Sequence, residues 1–502
     1  MAKRIVCFAL MLLLVCSLLV GCKKDEVPDD TPASDEASDV ASETQTEVET
    51  NKWGDVVIRP DIPDELDYNG EKVTFLMRNS DRFNREFGKE KAISALDGQI
   101  YSRNMAVQTE LGVVLDLQKT LNGGNNDEFY NTVTNARLAQ NGDYDVIVAY
   151  AAFGVAPTLR DCYVDLNSDA VTYLKSDKAY WNQSYLEAAE LNGKLYYITG
   201  DVNLSTFDRS IVVYFNETLC AANGITGLYD KALSGDWTIE DLYTYANNIS
   251  YMEGDSTTGK SAGDEFTLVS VKWSEACDAF VTAFGMKMVS RNDDGTHTVN
   301  IGGNQRMYDA ADVIKSLYTA AGSHVFGTGE VNDLFSSSST LFAIDIMWRS
   351  DDQNAKYTNM TDKYGILPLP KYDDAQEGYY TTPQDAYNIM SIMDDAQVNK
   401  EMVSATLELM CSKSYDNVRP YYFENVVKTK YFSELNSAKV FELVLNSVTF
   451  DIGAVFGSQL GHPLSLWRDA CSGKDTLAHA WSENESSIMA ELENFEDWML
   501  IS

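Results

Sequence analysis

The run Tyr144-Asp145-Val146-Ile147-Val148-Ala149 constrains the fold more than any other feature of the sequence. It is β-rich and apolar on both faces, the pattern of a parallel strand covered by helices on both sides. Residues 72–77 read as an earlier strand, ending in the polar turn Arg78-Asn79-Ser80-Asp81-Arg82. Residues 98–111 follow with helical spacing (Ile100, Met105, Val107, Leu111), then a strand over 113–117 and a helix over 129–139. The turn Asn141-Gly142-Asp143 leads into the apolar run. This βαβαβ order predicts an open α/β sheet, with ligands beyond the carboxyl ends of its strands.

The alternation continues. Residues 191–198 read as a hairpin-like pair around Asn192-Gly193, and 210–216 as an apolar strand. Asp236-Trp237-Thr238-Ile239-Glu240-Asp241 is a helix start, with Thr238 as cap and two acids in the first turn. Helices are expected over 275–284 and 305–321, and a strand over 340–346 leads into Met347-Trp348-Arg349. Residues 364–370 form a short extended segment broken by Pro368 and Pro370, and from Asn399 the chain reads as largely helical.

The N-terminus is of another kind. Lys3 and Arg4 precede an apolar stretch over 5–21, which ends in Leu19-Val20-Gly21-Cys22. That ending resembles a bacterial lipobox, which implies a signal peptide over 1–21 and a lipidated (diacylglycerol, palmitate) Cys22. An ordinary signal peptide or an uncleaved anchor is the alternative. Between Lys23 and Thr50 stand ten acids and no aromatic residue. Such a stretch buries too little apolar surface to fold, so 22–51 is expected to be the lipidated cysteine and an acidic, disordered tether.

Charge narrows the partners. Against 39 Lys and Arg the 502 residues carry 76 Asp and Glu, a net −37. This excludes nucleic acid, whose phosphates need clustered cations, and anchoring to anionic lipid by basic patches. Sixty-six of the acids follow residue 50, so the acidity belongs to the folded body and suits a neutral ligand. Of eight cysteines, Cys162, Cys220, Cys277, Cys411 and Cys471 lie in that body. Their odd number and wide spacing point to buried free thiols rather than disulfides or a zinc site. Four scattered histidines lack paired-ligand spacing, and 291–296 reads as a hairpin turn rather than a calcium loop. No catalytic residue, metal or cofactor is assigned.

Several segments stand in one characteristic order: 73–81, Gly142-Asp143-Tyr144-Asp145-Val146-Ile147, Leu191-Asn192-Gly193-Lys194-Leu195-Tyr196 and Val213-Tyr214-Phe215-Asn216-Glu217-Thr218-Leu219. Then come 236–241, Tyr364-Gly365-Ile366-Leu367-Pro368-Leu369-Pro370 and the helix from Asn399-Lys400-Glu401. With the lipobox and tether, this order resembles the family 1 extracellular solute-binding proteins, the maltodextrin-binding-protein-like receptors of carbohydrate ABC importers. The resemblance implies a two-lobe, periplasmic-binding-protein-like α/β fold with a hinge and an inter-lobe cleft. Lobe one would hold 52–203 plus 364–412, and lobe two 204–363 plus 413–502. The implied protein is a monomeric, non-enzymatic receptor, lipid-anchored on the outer face of the cell membrane. It would capture an oligosaccharide or other small carbohydrate and present it to ABC permease subunits. The alternatives are a receptor for a non-sugar solute, a surface glycoside hydrolase or an adhesion lipoprotein.

A sugar cleft wants aromatic plates for ring faces and Asp, Asn or Arg for hydroxyls. Carried across segment by segment, the resemblance implies Asp81 after the first strand, Tyr150 after the 146–149 strand, and Asn203 in the loop before the lobe crossing. It adds Trp273 and Trp348 as stacking aromatics, the latter after the 340–346 strand. Arg349 either bonds ligand or pairs with the acidic surface. Tyr387 faces the cleft or the core, and Trp467 reads as core.

Overall fold

The computed structural model describes residues 49–502 apart from 52–55, 81–83, 89–93, 122–125, 157–160, 250–259, 262, 273–275, 351–354, 428–434 and 501–502. The N-terminal apolar run, Cys22 and nearly all of the acidic stretch lie outside the described residues.

Two sheets organise the body. In the first, β1 (Glu71–Arg78) lies between β2 (Val113–Leu121) and β3 (Val146–Tyr150), both parallel to it. Every residue of β3 is buried, as its two-sided apolar run predicts. Helix Ala95–Leu111 carries the chain from β1 to β2. It starts at a reciprocal cap, the Asp97 amide donating to Ser94 Oγ and the Ser94 amide to the Asp97 carboxylate. It ends at Gly112, whose φ of 60° is the left-handed conformation that glycine adopts without a Cβ clash. Helix Asn126–Ala139 makes the second crossover, to β3.

The second sheet contains β4 (Ile211–Asn216), β5 (Phe266–Val271), β8 (Ser323–Phe326), β9 (Thr340–Ile346) and β10 (Tyr364–Pro368), in the order β10-β4-β9-β5-β8. Strands β6 (Val289–Arg291) and β7 (His297–Val299) pair antiparallel, so 292–296 is the hairpin turn its sequence suggests. Back in the first sheet, β11 (Asn388–Ile392) runs antiparallel to β3. Asn192 and Gly193 take the positive φ of an Asn-Gly turn, but only the single bridge Leu191–Lys194 forms there.

Two sheet memberships differ from expectation. Residues 364–368 belong to the second sheet, where Tyr364 pairs with Asn216 and Pro368 with Val212. Pro368 ends an edge strand, where its missing N–H costs no ladder bond. The return to the first sheet comes only after Thr381. Helix Lys400–Lys413, moreover, continues without a break into π-helical turns that pack on helix Ala95–Leu111. The chain therefore stays with the first sheet beyond residue 413, and helix Leu435–Asn446 packs on β10 of the second.

Three segments cross side by side between the sheets. The Ile211 amide donates to Thr382 O at 3.1 Å and the Gln384 amide to Arg209 O at 2.9 Å. On the far side, Thr381 donates to Ser447 O and accepts from the Thr449 amide. All five cysteines of the body are free and buried, as their spacing predicts. Among the described residues no helix is long and apolar enough to cross a membrane.

Candidate functional site at the lobe crossing

Both sheets direct strand ends toward the crossings: β1 ends at Arg78, β3 at Tyr150, and β9 at Ile346 beside the start of β4. In the first lobe the loop after β1 is anchored by Glu86, whose side chain lies wholly inside. Its carboxylate accepts from the Ser205 amide (2.7 Å), Ser205 Oγ (2.8 Å) and Asn388 Nδ2 (2.7 Å). Burial pushes this carboxyl up to about 7 in spite of the three donors. The buried Arg103 guanidinium donates to Glu86 O at 2.7 Å and completes the cluster. Glu86 thereby ties the β1 loop to β11 and to the turn Ser205–Asp208 that opens the first crossing.

Tyr150 is buried at the end of β3. The Arg78 guanidinium lies over its ring, 3.5 Å from the centroid, and 4.5 Å from the ring of Phe153. Tyr387 is its close neighbour, since Tyr387 O accepts from the Ala151 amide at 3.0 Å. The Tyr387 ring packs edge-on to Tyr185 and Phe450, and the residue also lines a cavity.

That cavity, of about 80 Å³, lies between the lobes. Its first-lobe wall is Ala151, Ala152, Asp385 and Tyr387, its second-lobe wall Asp278, Thr282, Leu464 and Arg468. Thr382–Gln384 and Phe450 bound it along the crossings. Its volume suffices for several waters, each needing roughly 10–15 Å³ on this measure. Arg468 grips Asp278 with two nitrogens, Nε to Oδ1 at 2.7 Å and Nη2 to Oδ2. Burial nevertheless raises the Asp278 carboxyl to about 6, with Arg468 opposing and Asp385 adding to the rise.

Trp348 lies half-buried in the turn Met347–Ser350, which follows β9 and packs against the Ser205–Asp208 turn. The Met347 amide donates to Ser210 O at 2.8 Å, fixing this turn to the crossing. Arg349 is paired, but inside rather than at the surface: its Nε meets Asp345 Oδ2 at 2.8 Å with both side chains buried. Asn203 has no exposed surface, and its Nδ2 donates to Asn388 O at 2.7 Å, so it holds backbone beneath the crossing. Trp467 is core, its indole N–H donating to Cys277 O. Asp81 and Trp273 lie outside the described residues.

The structure thus gathers Tyr150 and Tyr387 with Arg78, Glu86, Asp278 and Arg468, four residues the sequence reading did not single out for the site. Arg78 reads in sequence as the first residue of a polar turn and is in the structure the last of β1, while the ion pair of Asp278 and Arg468 spans 190 residues and leaves no local signal. Two further motif matches stand in the sequence. Gly254-Asp255-Ser256-Thr257-Thr258-Gly259-Lys260-Ser261 has the letters of a phosphate loop, and Gly259-Lys260-Ser261-Ala262-Gly263 those of a nucleophile elbow. Both motifs need a strand leading directly into a helix. Here the segment follows helix Ile239–Asn248 and leads into strand β5, and Lys260 Nζ donates to the carbonyls of Ala320 and Ser323. Residues 254–259 and 262 of the two motifs lie outside the described residues.

No family model matches the chain, and no curated protein does. Solved structures do match. The cyclic α-maltosyl-1,6-maltose binding protein of Arthrobacter globiformis superposes with a TM-score of 0.56 at 12% identity, over 85% of this chain and all of that one. UgpB of Mycobacterium tuberculosis, in complex with glycerophosphocholine, gives 0.54 at 14% identity, over 85% and 99%. The GacH receptor of Streptomyces glaucescens gives 0.52 at 15% identity, over 84% and 99%. These likenesses define the class of fold: the chain has the two-lobed α/β architecture of the solute-binding proteins, spanning essentially the whole of each.

Proposed function

We propose that this chain is the extracellular receptor of an ABC importer, anchored to the membrane through a lipid on Cys22, and that it captures an oligosaccharide or other small carbohydrate. One observation carries the reading: beside three adjacent crossings between the two sheets lies a cavity lined by Tyr387 and Asp278. To these we add Tyr150, which ends strand β3, and Trp348, which follows strand β9. Aromatic plates and hydrogen-bonding acids are what sugar rings require. The mechanism is differential binding. A ligand that touches both lobes only when they close shifts the hinge equilibrium toward the closed state, creating the surface a permease reads. The solved neighbours support a carbohydrate through the maltosyl-maltose binding protein, while the glycerophosphocholine complex of UgpB favours a second reading, a non-sugar solute. A thermal-shift screen of neutral and acidic oligosaccharides against glycerophosphodiesters separates them. Saturable stabilisation by a sugar, without turnover, supports the proposal. A shift with glycerophosphodiesters alone overturns the carbohydrate assignment, and product formation makes the protein an enzyme.

A further inference from the structure

We infer that Arg78 is the anion-recognising group of the cleft, and that the captured carbohydrate carries a carboxylate or phosphate. The inference rests on the receptor reading above and names its ligand class. Arg78 ends β1, the strand from which the chain goes first to β2 on one side and then across to β3 on the other. The crevice between β1 and β3 is therefore the topological switch point of the first sheet, where open α/β sheets bind ligands. A register shift at Met77/Arg78 in the ladder with β2 marks the spot, and such irregularities re-aim side chains next to sites.

The side chain is held ready. Its guanidinium lies 3.5 Å from the centroid of Tyr150 and 4.5 Å from that of Phe153, which fixes its plane and, among the described residues, leaves its N–H edges without an acceptor. Arg78 is 8% exposed, and among the described residues its side chain makes no hydrogen bond or ion pair. Three other buried arginines are matched by acceptors: Arg85 by Asp97 at 3.0 Å, Arg349 by Asp345 at 2.8 Å, and Arg103 by Glu86 O and Ser414 Oγ. A buried charge without an acceptor is costly, and a ligand oxyanion removes that cost. The guanidinium fork matches the two oxygens of a carboxylate or phosphate with parallel bonds, whereas a neutral sugar hydroxyl offers one oxygen. The acidity of the body opposes approach only weakly, because physiological salt screens charges beyond about 8 Å. The direct contact decides affinity.

The test measures binding by calorimetry to galacturonate, glucuronate and mannuronate oligosaccharides, each beside its neutral methyl ester, and to hexose phosphates beside the free hexoses. Arg78→Gln and Arg78→Lys are compared with the natural chain. The natural chain should prefer at least one acid over its neutral twin by on the order of tenfold or more. Preference within the uronates assigns a carboxylate, and preference within the phosphates a phosphate ester. Arg78→Gln should erase the preference while binding of the neutral twin persists. Arg78→Lys, which keeps charge and stem, should keep part of it and controls for misfolding. Equal binding of acid and neutral forms, or a preference that survives in Arg78→Gln, overturns the inference and leaves the receptor reading standing. Failure of every sugar, acidic and neutral, overturns both.

Discussion

The amide of Ser205 donates a 2.7 Å hydrogen bond to the buried carboxylate of Glu86, 119 residues away. The loop that follows the first strand and the turn that opens the lobe crossing are thereby one unit, with Asn388 Nδ2 and Ser205 Oγ bonded to the same carboxylate. Glu86→Ala leaves three buried donors without their acceptor. We expect a loss of about 3 kcal/mol and a fall in Tm of a few degrees, measured by calorimetry. An unchanged Tm would show that the two segments are held by packing alone.

Stability should rise on mild acidification. Burial raises Glu86 and Asp451 to about 7, and Asp145, Asp201 and Asp278 to about 6. In the unfolded chain these groups titrate near 4. Between the two values the folded state keeps protons that the unfolded state has released, so stability is fullest below the unfolded values and falls as pH climbs through 5–7. His297 and His324, lowered by burial, act in the opposite sense below about 6.5, but the five carboxyls outnumber them. Thermal unfolding should give a higher Tm at pH 5.5 than at pH 7.5. A lower one would mean that these carboxyls are already ionised in the fold.

Much of the first sheet is legible in sequence because its strands follow one another within 80 residues and carry two-sided apolar runs. The second sheet is less so. Strand β5 lies beyond a polar stretch without periodicity and β8 has only four residues; in the first sheet the exception is β11, which joins β3 from far along the chain. The candidate site divides the same way. Tyr150 and Trp348 follow strands that can be read locally, whereas Glu86 acquires its role from Ser205 and Asn388, and Asp278 from Arg468. Asn203 shows the converse failure: its place in the chain suits a ligand contact, yet the fold points it at a carbonyl.

Asn203 therefore offers a sharp contrast between stability and affinity. Its Nδ2 holds the carbonyl of Asn388 at the start of β11, and its side chain has no path to solvent. Asn203→Ala should cost about 1–3 kcal/mol in unfolding free energy, because a buried acceptor loses its donor. The Kd for any sugar that stabilises the protein should move by less than about twofold, within the usual spread for a residue that touches no ligand. A large loss of affinity with unchanged Tm would place Asn203 in the cleft after all.

Trp348 should behave in the opposite way. Its turn is fixed to the crossing by the Met347–Ser210 hydrogen bond and by the Asp345–Arg349 ion pair, so the backbone beneath the indole does not depend on the indole. The ring is half-buried, and the Arg349 guanidinium lies 5.4 Å from it. An aromatic plate on a sugar face is worth roughly 1–1.5 kcal/mol beyond the area it covers. Trp348→Ala should therefore weaken sugar binding on the order of tenfold or more, with a near-native circular dichroism spectrum. Trp348→Phe, which keeps a smaller plate, should recover part of the loss. Unchanged affinity in Trp348→Ala would remove the residue from the site, and collapse of the fold in that variant would assign the indole to packing between the β9 turn and the crossing.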